Sequence, residues 1–94
     1  MDSLKRILLV EDSPRDAELA LDALADNHLA NEVVHVRDGT EALDYLHRRG
    51  QFADRPNGQP AVVVLDLKMP KVDGLEVLRH MKGDPDLKVI PVVS

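Results

Sequence analysis

Residues 61–74 read Ala-Val-Val-Val-Leu-Asp-Leu-Lys-Met-Pro-Lys-Val-Asp-Gly, an apolar and mostly β-branched run that ends on an aspartate. Unbroken apolar character of this kind predicts a strand buried on both faces, as in a parallel sheet covered by helices. Pro70 and then Asp73-Gly74 end the strand, turn the chain and start a helix, with Asp73 as its N-cap. Asp66 is thereby expected at the carboxyl end of a central strand, where open α/β sheets gather their ligand chemistry.

The rest of the chain repeats that strand-to-helix plan. Ile7 to Val10 form a short apolar run followed by Glu11-Asp12-Ser13-Pro14. Ser13 suits a helix N-cap, Pro14 the first helical position and Asp16 a capping-box role. Ala17, Ala20, Leu21 and Leu24 then recur at helical spacing, with Asn27 and His28 as terminators. Glu32 to Val36 reads as a second strand with some polar alternation, hence nearer an edge. Asp38-Gly39-Thr40 leads into a second helix with Ala42, Leu43 and Leu46 inward, Arg48 and Arg49 at its carbonyl end, and Gly50 as its stop. Residues 51–60 are a polar loop. After the central strand, a third helix turns Leu75, Leu78 and Met81 inward, Gly83-Asp84-Pro85-Asp86 breaks it, and Val89 to Val93 begin a fourth strand. This βαβαβαβ order implies an α/β fold, a doubly wound parallel sheet with right-handed crossovers and helices on both faces.

Composition narrows the function classes. The 94 residues suit one domain, and 44% hydrophobic with 31% charged residues is a globular profile. A net charge of -5 argues against general nucleic-acid or anionic-membrane affinity and suits a cation site. Without cysteine there is neither a disulfide nor a thiolate metal site. No apolar run approaches the roughly 18 residues of a membrane span, and the N-terminus lacks a signal-peptide core, so a cytoplasmic protein is expected. The histidines His28, His35, His47 and His80 show no metal-ligand spacing and read as surface or boundary residues; Arg48-Arg49 reads as a solvated helix end.

If strands one and three are neighbours, Glu11, Asp12 and Asp66 converge at one end of the sheet. Three carboxylates packed that closely repel one another. A hard divalent cation is the remedy, and Mg²⁺ typically takes one or two carboxylates, several waters and a phosphate oxygen.

Glu11-Asp12 after the first strand, Asp66 at the end of the third and the following turn Asp66-Leu67-Lys68-Met69-Pro70-Lys71-Val72-Asp73-Gly74 resemble the receiver domain of bacterial two-component response regulators. The long segment before the third strand and Asp84-Pro85-Asp86-Leu87 are most similar to the small stand-alone receivers that work with bacterial phytochromes. The resemblance implies a flavodoxin-like sheet of order 2-1-3-4 and a signalling domain rather than an enzyme. Asp66 would accept a phosphoryl group from a phosphohistidine of a sensor histidine kinase. Mg²⁺ would be held by Asp12, by Glu11 directly or through water, by Asp66 and by the backbone carbonyl of Lys68. Phosphoryl transfer needs in-line positioning and charge neutralisation, which a carboxylate nucleophile beside a metal supplies.

The same resemblance reads residues 1–94 as a single receiver domain that is C-terminally incomplete. Its usual switch hydroxyl would fall two residues beyond Ser94, and its phosphate-binding lysine is not among Lys68, Lys71, Lys82 and Lys88. Two rivals follow: a receiver that no longer signals and serves as an assembly unit, and a Mg²⁺-dependent aspartyl-phosphate phosphatase. The phosphatase wants a second Asp two residues after the first, where Lys68 stands. Homo-oligomerisation through an exposed fourth strand and uncovered sheet faces is also expected.

Overall fold

The computed structural model describes residues 6–26, 32–55, 58–65 and 71–93, the first three of the last segment by backbone alone. Four strands, β1 (Arg6–Val10), β2 (Glu32–Val36), β3 (Val62–Leu65) and β4 (Val92–Val93), alternate with three helices, α1 (Pro14–Asp26), α2 (Gly39–His47) and α3 (Lys71–Gly83). The strands form one parallel sheet of order β2-β1-β3-β4. The expected doubly wound, flavodoxin-like architecture is therefore present, with β1 and β3 side by side and β2 at an edge.

One face of the sheet carries most of the core. Leu8, Val10, Val36, Val63 and Leu65 pack with Ala42, Tyr45 and Leu46 of α2, Val77 and Met81 of α3, and Leu87 and Ile90 from the lead-in to β4. Alternation sends Ile7 and Leu9 to the opposite face, where Ala17 of α1 is also buried. Covering is uneven across β3: Val63 and Leu65 are buried, but Val62 and Val64 are only half-buried. Burial on both faces, expected from the apolar run, thus holds for one face only.

Several boundaries differ from expectation for local reasons. α2 ends not at Gly50 but at Arg48, which adopts a left-handed backbone (φ 55°, ψ 54°) and donates its N–H to Tyr45 O. Gly50 (φ 60°) opens a 3-10 turn, Gly50–Phe52, that runs into the segment 51–60 read as a plain polar loop; a Cβ at Gly50 would meet the Asp44 carboxylate at 3.3 Å. α3 already runs from Lys71, so Asp73 lies within its first turn and is not its N-cap. That phase turns Gly74, Val77 and Met81 to the core and leaves Leu75 53% exposed, with Leu78 at the boundary. The fourth strand begins late because Asp84 holds the chain in turns: its Oδ1 accepts from Asp86 N–H at 2.8 Å and its carbonyl from Lys88 N–H at 2.9 Å. Val89 consequently sits 74% exposed, outside the sheet. Asn27 and His28, the expected terminators of α1, lie outside the described residues.

The connection from α2 to β3 is organised by Arg55. Its guanidinium donates to Tyr45 O (2.6 Å), Gly58 O (2.6 Å) and Gln59 Oε1 (2.7 Å), and lies 4.3 Å from the Tyr45 ring centroid. Burial pushes its pKa down, with nearby Arg48 and Arg6 acting the same way and Tyr45 opposing. Tyr45 in turn meets Phe52 edge-on at 5.1 Å.

Candidate functional site

β1 and the start of α1 build the acidic end of the sheet. The Glu11 N–H donates to Val36 O at 3.0 Å, carrying the β1–β2 pairing one residue past Val10. The Glu11 carbonyl accepts from His35 Nε2 at 2.8 Å. A carbonyl can only accept, so Nε2 of His35 carries the proton. Glu11 is thus held on both backbone groups by β2.

Its side chain bends toward the helix. Glu11 Oε2 accepts the Ser13 N–H at 3.1 Å, while Ser13 Oγ accepts the Asp16 N–H at 3.3 Å and Ser13 O the Ala17 N–H at 2.9 Å. Ser13 is therefore the N-cap of α1, as its sequence position implies, with Pro14 in the first turn. The capped helix start also offers partial positive charge beside the two acids. Glu11 is 6% exposed and is the one buried charged side chain among the described residues, whereas Asp12 faces solvent.

Asp66 and Lys68 lie outside the described residues, so the structure does not place them. It does place what precedes Asp66. Val10 pairs with Leu65, so the residue before Glu11 is aligned with the residue before Asp66.

Sequence reasoning missed two histidine roles. His35, read as a boundary residue, supports Glu11 through a ring-to-carbonyl bond between neighbouring strands, and its place in a strand next to β1 was the available signal. His47 and His80, also read as surface residues, bring their Nε2 atoms to 2.6 Å of one another. They lie in the last turns of α2 and α3, a juxtaposition visible only once both helices are put on one face of the sheet.

Comparison with known proteins agrees with this geometry. Residues 7–94 match the family model of the response regulator receiver domain. Response regulator Rcp1 of Synechocystis sp. is 44% identical over 89 residues, which are 95% of this chain and 59% of Rcp1; its structure has been solved in a Mn²⁺-bound form (TM-score 0.77, 42% identity, 94% of this chain and 62% of that one). The bacteriophytochrome response regulator AtBRR superposes with a TM-score of 0.90 at 64% identity, over 98% of this chain and 66% of its own. The phosphorylated cyanobacterial phytochrome response regulator RcpA gives 0.82 at 48% identity, over 96% and 63%. The chain thus spans between about three fifths and two thirds of the length of these relatives. Among the described residues no helix is long and apolar enough to cross a membrane. Strand order, the paired acids closing β1 and the family match over residues 7–94 agree: the chain belongs to the response regulator receiver domain family.

Proposed function

We propose that this receiver domain accepts a phosphoryl group on Asp66 from a phosphohistidine of a sensor histidine kinase in the cytoplasm, the kinase being a bacterial phytochrome. The supporting observation is the end of β1: a buried Glu11 and an exposed Asp12 stand where Val10 is aligned with Leu65, the residue before Asp66. We take residues 1–94 as belonging to one domain.

The donor set fits a hard cation. Glu11, Asp12 and Asp66 offer carboxylate oxygens and Lys68 a carbonyl, the ligand chemistry of Mg²⁺. A bound Mg²⁺ would supply charge neutralisation to the transferring group. The protein's own residues do the remainder. His35 and Val36 fix the Glu11 backbone, and the Ser13 N–H orients its carboxylate. In transfer, an Asp66 carboxylate oxygen attacks phosphorus, the P–N bond to the donor histidine breaks with its electron pair returning to the ring, and an acyl phosphate results. Asp66 is consumed once per event and regenerated by hydrolysis, so the domain acts as an acceptor rather than as a catalyst for an external substrate.

The likeness to phytochrome response regulators supports this reading; it lends none to a phosphatase or to a receiver that has stopped signalling. Incubation with a small phosphoryl donor and Mg²⁺ should add one phosphoryl group, seen by intact mass. An Asp66→Asn chain that is labelled as fast as the parent would overturn the assignment.

A second reading concerns self-association. Among the described residues β4 lies at one edge of the sheet, and Val89 and Val93 near it are 74% and 54% exposed. An open groove of about 410 Å³ runs between α3 and β4, lined by Leu65, Leu78 and Met81 among others. These features suit pairing with a second copy through β4. Light scattering over a dilution series should show a dimer; a strict monomer at high concentration would refute it.

A further inference from the structure

The two helix ends on the α2–α3 face hold a group that phosphoryl transfer does not use. His47 closes α2, His80 lies in the last turn of α3, and Asp84 follows α3 directly. One ligating atom from each lies within 4.8 Å of the others. The His47 and His80 rings meet edge to face, at 84°, with their Nε2 atoms 2.6 Å apart. Asp84 is held in place, since its Oδ1 accepts the N–H groups of Asp86 (2.8 Å) and Leu87 (3.3 Å).

We propose that His47, His80 and Asp84 form a three-ligand site for a borderline transition-metal cation of the Zn²⁺ class. Two imidazole nitrogens with one carboxylate is a donor set that Zn²⁺, Cu²⁺ and Ni²⁺ prefer and Mg²⁺ does not. In the metal-free state the two Nε2 atoms share one proton, one ring donating and the other accepting. A cation takes its place once the donating ring moves its proton from Nε2 to Nδ1, so that both neutral rings bind through Nε2. Tetrahedral coordination at about 2.0–2.1 Å sets ligand atoms about 3.3 Å apart, so the nitrogens part by less than about 1 Å and the carboxylate closes by at most about 1.5 Å. His80 is exposed, and rotation of exposed side chains covers such distances. Three protein ligands leave the fourth position to water.

The location makes this site separate from the acidic one. In a parallel sheet the helices run back against the strands, so the carboxyl ends of α2 and α3 lie at the opposite end from Glu11 and Asp12. The 13 residues of α3 span about 20 Å between the two ends. Metal at the far end fastens α2 to α3, the helix that begins five residues after Asp66.

The test is calorimetric titration of the chain with Zn²⁺ in a large excess of Mg²⁺, paired with a Co²⁺ titration read by visible absorption. One Zn²⁺ per chain and a tetrahedral Co²⁺ spectrum are expected. His80→Gln, the least buried of the three changes, should weaken Zn²⁺ at least tenfold, as should His47→Gln. Asp84→Asn retains an oxygen for the Asp86 and Leu87 N–H groups and should weaken Zn²⁺ without altering the far-ultraviolet circular dichroism. Asp12→Asn should leave Zn²⁺ binding unchanged while weakening Mg²⁺. Absence of saturable Zn²⁺ binding to the parent, an unchanged isotherm in the His47→Gln/His80→Gln chain, or loss of Zn²⁺ in Asp12→Asn alone would each overturn the site.

Discussion

Glu11→Gln should make the protein more stable without metal and less stable with it. The carboxylate is 6% exposed beside Asp12, and placing an ion in such a site costs several kcal/mol after relaxation. The Ser13 N–H at 3.1 Å offsets part of this, a hydrogen bond to a charged acceptor contributing about 1.5–3 kcal/mol. Glutamine is the same size and keeps an oxygen for that N–H. It gives up about 1 kcal/mol of charge assistance and removes the larger desolvation and like-charge terms. A net gain of about 1–2 kcal/mol follows in metal-free buffer, or a rise in Tm of about 4–16 °C at about 4–8 °C per kcal/mol for a domain near this size. In Mg²⁺ at a hundredfold its Kd the parent gains about 2.7 kcal/mol. The variant, with one anionic ligand fewer, should gain less than about 0.5 kcal/mol, so the order of stabilities reverses. Urea unfolding of both chains with EDTA and with saturating Mg²⁺ measures all four values. A variant less stable than the parent in EDTA by more than about 1 kcal/mol, or one that responds to Mg²⁺ as the parent does, would refute the reasoning.

Four further changes probe the frame around the site. His35→Leu removes the donor to the Glu11 carbonyl; a cost of about 1–2 kcal/mol in urea unfolding and a Mg²⁺ affinity lowered severalfold are expected, supports behind metal ligands having effects of this kind. Arg55→Ala strips the hydrogen bonds to Tyr45 O, Gly58 O and Gln59 Oε1 and the stack on Tyr45, and should cost about 1–3 kcal/mol while leaving Mg²⁺ affinity untouched. Val77→Ala should cost about 2–3 kcal/mol, whereas Leu75→Ala on the outer face should stay within about 0.5 kcal/mol; equal effects would show the phase of α3 to be wrong.

Much of the fold could be read from the chain because its signals were local. The run from Ala61 to Leu65, the Ser13-Pro14 cap and the β-branched second strand each act over a few residues, and their alternation implies a parallel sheet; that β1 lies beside β3 is implied by the resemblance to receivers and not by the alternation. The phase of α3 could not be read that way. Leu75, Leu78 and Met81 have a helical spacing, but so do Gly74, Val77 and Met81, and only the packing of α3 against the sheet decides between them. The end of α2 was misplaced because glycine is the usual left-handed residue, while here Arg48 takes that conformation two positions earlier. Likewise the acids of β1 carried a readable pattern, but the roles of His35, His47 and His80 depend on partners 24 and 33 residues away.

The packing of Tyr45 has a practical consequence for watching this protein. It is the sole tyrosine and there is no tryptophan, so it supplies nearly all the intrinsic fluorescence and near-ultraviolet ellipticity of the chain. The ring is buried, edge-on to Phe52 and under the Arg55 guanidinium. An optical signal from this molecule is therefore a report from the junction of α2 with the segment leading to β3.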